Sequence, residues 1–312
     1  MTFFKQKGFT LVELMIVIAI IGILSVALTA TVGTIQVTAR ATKCKANLRA
    51  LAQAAYSYGV DGGSYPTAGS YEYVPPGLQG RDRVVYLGHK GWVSWTSGAS
   101  DSWPWPSESS RRSSFRTRYF GEAAYISITN GVLWSLVGKD ANIYLCDTHR
   151  RAIKAVSNER VYRSYVMNGY FKYDDGHVKY RHDSYARRVE DVVMDGRAAV
   201  RLMFAELPSP PPSGSLNQDE RFSDSALEYG RRRGGDVQRD EIEEVIGFNH
   251  VIAKKWVAHV AFVDGHVEGL VLPNRALRRD GYPDYNHQDL KKLTRMLCEG
   301  QEIESEIRET MR

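Results

Sequence analysis

The sequence is short of cysteine: three residues in 312, Cys44, Cys146 and Cys298, and no Cys-x-x-Cys pair. That spacing excludes a structural zinc knuckle read from sequence. In an oxidising compartment it leaves room for one disulfide and one spare thiol, with the pairing open. Catalytic signatures are missing too. No Gly-x-Ser-x-Gly elbow, phosphate loop, dinucleotide fingerprint or zinc-protease helix occurs, and the chain reads as no enzyme with no cofactor. The excess of one sign of charge is small: 41 Lys and Arg against 36 Asp and Glu give a net of +5 and a pI near 9.0. The one basic cluster, Arg231, Arg232 and Arg233, runs into Gly234, Gly235 and Asp236 and reads as a solvated loop. Nucleic acid is not an expected partner.

Acid is absent from the first eight residues, which carry Lys5 and Lys7. Charge of either sign is then absent from residues 14–35, a run of 22. At about 1.5 Å per residue this run spans about 33 Å as a helix, against about 30 Å of bilayer core. The preceding lysines keep the N-terminus cytoplasmic and send the bulk across. Glu13 stands at the edge of this apolar stretch, where an unpaired carboxylate is costly. A cation at the same depth would compensate it, and a cut after Gly8 would create one in the amine of Phe9.

Lys7-Gly8-Phe9-Thr10-Leu11-Val12-Glu13 resembles the cleavage and methylation signal of type IV prepilins and type II secretion pseudopilins. The resemblance implies processing at Gly8, N-methylation of Phe9, and an assembly role for Glu13 opposite a neighbouring subunit's N-terminal amine. It implies as partners a prepilin peptidase/methyltransferase, other pilin or pseudopilin subunits, and an inner-membrane assembly platform. The implied location is the bacterial inner membrane, single-pass, leader cytoplasmic and globular domain extracytoplasmic.

Helical spacing of Leu48, Leu51, Ala55 and Tyr58, with no proline over residues 36–58, extends the helix to about Tyr58. Gly22 and Gly33 leave room for bending or close helix packing. The expected organisation is a leader over 1–8, a helix over 9–58 with its membrane segment at 14–35, and a globular domain over 59–312. The expected fold class is α+β and pilin-like, with the long helix packed on an antiparallel sheet with large irregular insertions. The expected function is a minor structural subunit of a type II secretion pseudopilus or type IV pilus-like filament. Trp92, Trp95, Trp103 and Trp105 crowd one insertion. They offer an alternative, a tethered or filament-tip protein that stacks polysaccharide on exposed rings, although such residues more often pin a loop to its domain.

Short strands are expected at residues 143–146, 164–170 and 198–205. Asp264-Gly265 predicts a two-residue hairpin turn within 256–271, pairing Val263 with His266 and Val260 with Gly269. The face bearing Trp256, Ala258, Val260 and Phe262 is expected to pack on the long helix. This segment resembles the end of a prepilin-processing-associated domain, whose pattern is His, nine residues, Asp-Gly. Here that spacing falls on Lys254, and the histidines are at 250 and 259. His250, His259, Asp264 and His266 could be considered as metal ligands, but they read as turn chemistry and ordinary surface histidines; no metal is expected. Leu290, Leu293 and Leu297, then Ile303, Ile307 and Met311, form apolar stripes of a C-terminal helix.

Overall fold

A computed structural model describes residues 10–68, 91–93, 117–118, 125, 127–156, 160–171, 188–210, 222–223, 226–227, 231–233, 236–238 and 245–311. Helix α1 runs from Leu11 to Gly62 without a break, passing through Gly22 and Gly33. It begins at Thr10 and ends at Gly63, whose φ of 74° only glycine adopts freely. The end lies beyond the expected Tyr58, because Gly59 is no breaker. A methyl group there would come within 2.6 Å of the Val189 side chain, so Gly59 lets another segment approach the helix.

The central sheet is built from β1 (Tyr165–Asn168), β2 (Leu202–Glu206), β3 (Ala226–Leu227), β4 (His250–Ile252), β5 (Lys255–Phe262) and β6 (Val267–Val271). Its order is β6-β5-β2-β1-β3, with β4 also on β5. All pairs are antiparallel except β1 with β3. The fold is thus α+β, a long helix on a mainly antiparallel sheet. β5 is buried from Val257 to Phe262 because it is covered on both faces. Cys44, Leu48, Leu51 and Ala55 of α1 pack with Ala261, Val263, Met167 and Phe204 on one face. The other face carries Ala258, Val260 and Phe262 against Leu290, Leu293 and Leu297. These leucines belong to α2 (Gln288–Glu299), which Gly300 closes in the left-handed conformation before α3 (Ser305–Thr310).

The expected hairpin exists, but its register and facing are corrected. Val267 pairs with Ala261 and Gly269 with His259, one residue away from the expected pairing. The Gly265 amide donates to the Phe262 carbonyl, and the Phe262 amide to the His266 carbonyl. The loop is therefore three residues long, with Gly265 at φ 86°. Separately, the Trp256-Ala258-Val260-Phe262 face meets the C-terminal helices, not α1. A tight two-residue turn occurs one hairpin earlier, where Ile252 pairs with Lys255. Its central residues, Ala253 and Lys254, have φ of 50° and 65°. Three further expectations change. Residues 141–144 form a 3-10 helix, followed by extended Leu145 and a helix from Asp147, so no strand forms there. The strand expected from 198 begins at Leu202. Arg231–Arg233 is a short strand paired with Asp236–Gln238, not a loop.

Replacing the fully buried Leu48 by Ala should lower stability by about 2–5 kcal/mol, while Gln53→Ala, on the exposed side of the same helix, should stay within about 0.5 kcal/mol. Equal effects in urea titrations would contradict the seating of α1. Ala253→Asn combined with Lys254→Gly should raise stability by about 1 kcal/mol, since both positions then accept positive φ. A loss of stability would show that the turn differs.

Candidate functional site

Two sites emerge, one at the start of α1 and one where α1 meets the sheet. Thr10 caps α1: its hydroxyl accepts from the Glu13 amide at 3.3 Å. The Glu13 carboxylate in turn accepts from the Thr10 amide at 2.8 Å and the Thr10 hydroxyl at 2.6 Å. This reciprocal pair is a capping box. The sequence carries its signature, Thr-x-x-Glu before an apolar run, which the reading of Glu13 as an assembly residue passed over. The next turns expose Leu11, Leu14, Ile18, Ile21, Ile23 and Leu24, each more than half accessible. A helix apolar on all sides needs an apolar environment. Gly8 and Phe9 lie outside the described residues. No helix is long and apolar enough to cross a membrane among the residues described. The side chains at 26–32 and 34, in the second half of the predicted span, are not among them.

The second site is a buried polar cluster. β2 and β4 lie along the same edge of β5, and Glu206, at the end of β2, meets His250, at the start of β4. The Glu206 carboxylate lies 3.0 Å from His250 Nε2 and 3.1 Å from His259 Nδ1. Its other oxygen accepts from Asn249 at 3.0 Å. Burial alone would raise the Glu206 carboxyl, but the charge and hydrogen bonds of His250, and those of His259, outweigh it and hold the group at about 2. Burial likewise opposes protonation of His250, yet the Glu206 charge lifts it to about 10. The pair is thus an ion pair inside the fold. His259 Nε2 is buried without a hydrogen-bond partner among the described residues.

Two cysteines adjoin this pair. Cys146 Sγ lies 3.5 Å from His250 Nε2 and 2.6 Å from Cys44 Sγ. Burial, then the contact with Cys44, pushes the Cys146 thiol well above the ordinary range. Cys44, Cys146, Glu206 and His250 present ligand atoms within 4.8 Å of one another, close enough to reach one ion. This is not the set weighed from sequence. His250 and His259 do come together, with ring centroids 4.4 Å apart. Asp264 and His266 pair with each other at 2.6 Å at the exposed hairpin tip. Cys298 is buried away from the cluster, its carbonyl accepting from Asn168 at 2.9 Å.

Trp92 is fully buried. Its indole donates to the Ala68 carbonyl at 2.9 Å, and its ring stacks on Tyr144 and meets the edge of Phe204. It offers no face to a ligand, and the stacking role weighed for it is replaced by a core role. Trp95, Trp103 and Trp105 lie outside the described residues.

The ion pair predicts a pH profile. Glu206 is depressed from 4.5, so its contribution is present above pH 4.5 and lost as pH falls toward 2. His250 is raised from 6.5, so its contribution is present below pH 6.5 and lost as pH climbs toward 10. Glu206→Gln should cost about 3–5 kcal/mol near pH 6, and its deficit should shrink toward pH 10. Thermal melts across that range that give a constant deficit would rule the ion pair out.

No curated protein and no solved structure matches the chain. Residues 3–29 match the family described as the prokaryotic N-terminal methylation motif. That stretch holds Gly8, Phe9, the Thr10–Glu13 box and the exposed apolar turns of α1. The chain therefore carries a prepilin-type signal, which supports a type IV pilin- or pseudopilin-type protein.

Proposed function

We propose that this protein is a minor structural subunit of a type II secretion pseudopilus or type IV pilus-like filament. In this reading a prepilin peptidase/methyltransferase cuts after Gly8 and methylates Phe9. Residues 14–35 hold the subunit in the bacterial inner membrane, with the globular domain outside the cytoplasm, until an inner-membrane assembly platform passes it to other subunits. The role is structural rather than catalytic. The observation that carries the reading is the methylation motif over residues 3–29, followed by a helix whose early turns expose apolar side chains on all sides.

Glu13 has a physical role in this scheme. In the single chain its carboxylate is occupied by Thr10 at the cap. Within a filament the amine of a neighbouring Phe9 offers a full positive charge in low dielectric, a stronger partner than a neutral hydroxyl. A neighbour at the wrong height leaves both charges unpaired, so the pair selects axial register.

Mass spectrometry of the mature protein should find N-methyl-Phe9 at its start. Gly8→Ala should leave the leader attached while membrane insertion persists. Glu13→Ala should be cleaved normally yet enter filaments at least tenfold less. An intact Met1 in cells with active peptidase contradicts the processing, and normal incorporation of Glu13→Ala contradicts the register role.

A further inference from the structure

We propose that Cys44 and Cys146 form a disulfide that clamps α1 to the globular domain, leaving Cys298 as the thiol. Both sulfurs are fully buried, 102 residues apart in sequence and 2.6 Å apart in space. Two unbonded sulfurs rest roughly 3.6 Å apart or more. A disulfide needs about 2.05 Å, so the sulfurs must close by only about 0.5 Å. Sharing a tetrahedral zinc at about 2.3 Å per sulfur would require them to separate to about 3.8 Å. The shorter movement is toward the bond.

Charge favours the same outcome. Glu206 is already balanced by His250 and held by His259 and Asn249. A disulfide adds no charge to that buried pair. A metal ion would displace His250 as its counterion and bring two thiolates into the same space. The flanking residues hold the two segments together independently of the sulfurs. Asn47, one turn along α1 from Lys43, donates to the carbonyls of Asn142 and Leu145 at 2.9 and 3.1 Å. Lys43 pairs with Asp147 at 3.4 Å. The Cys146 amide donates to the Ser164 hydroxyl at 2.6 Å.

The oxidant belongs to one chemical class, a disulfide-bearing thiol oxidoreductase of the extracytoplasmic space, so the inference rests on the topology proposed above. One cysteine, as thiolate, attacks the carrier's disulfide and forms a mixed disulfide, expelling one carrier thiolate. The second cysteine attacks that mixed disulfide, and the Cys44–Cys146 bond forms as the second carrier sulfur leaves. Two protons and two electrons pass from the chain, and the carrier departs as a dithiol. Burial of both sulfurs places this exchange before α1 docks on the sheet.

The test uses full-length protein extracted from membranes in detergent, unfolded in denaturant, alkylated without reduction and then digested. A linked peptide joining Cys44 to Cys146 and a single alkylated cysteine, Cys298, are expected. Reductant should lower the melting temperature by on the order of 10 °C. Cys44→Ser should start at the lowered value and ignore reductant, while Cys298→Ser should still respond. Three alkylated cysteines, a bond to Cys298, or one zinc per chain with thiols freed only by chelation would each overturn the clamp. The N-terminal peptide of the same digest keeps the two readings apart. Methylated Phe9 with three free thiols sinks the clamp alone, and an uncut leader with the linked peptide sinks the processing alone.

Discussion

A carboxylate in a protein interior must find positive charge, and Glu206 finds it in His250. Around that requirement the domain is organised. β2 supplies the acid, β4 one histidine and β5 the other, so three strands are registered by a single contact. Asn249 fixes the remaining oxygen while also donating to the Leu207 carbonyl at 2.8 Å, which ties in the segment leaving β2. The cysteines adjoin this cluster on the side where α1 packs. The placing of the helix and the neutralisation of the acid are therefore parts of one arrangement. Changing either sulfur or either charge is expected to affect the other.

The N-terminal acid obeys the same rule under different circumstances. Glu13 is exposed and shares a hydrogen bond with its own cap, a weak and exchangeable arrangement. Glu206 is permanently satisfied and structural. One chain thus contains a committed acid and an available one, and burial distinguishes them.

Much of this was legible in the sequence, and what was not has physical reasons. The long helix, the apolar stripe of Leu290, Leu293 and Leu297, and the strand before Asp264 follow from periodicity, a local property. The capping box was equally local in Thr10 and Glu13 but was read only for charge. The hairpin register failed by one residue because Asp-Gly also suits the last two positions of a three-residue loop. The turn at Ala253-Lys254 carries no glycine or asparagine and so gave no signal. That hairpin doubles the chain back and returns His250 to β5 opposite Val257. The Glu206–His250–His259 cluster joins positions 44 and 53 apart, which no local pattern reports. Trp92 was grouped with its neighbours by composition, although its indole points into the core.

The unbroken course of α1 has a geometric consequence. Its 52 residues make one rod of about 78 Å, and among the described side chains the first one buried against the domain is Ala41. The rod has no hinge to absorb a misfit between its two ends. A helix advances about 1.5 Å and turns about 100° per residue. To slip by one step while keeping the same stripe against its neighbours, it must swing the attached domain through more than a quarter of a circle. The position at which the tail settles thus dictates the compass bearing of everything carried on its far end.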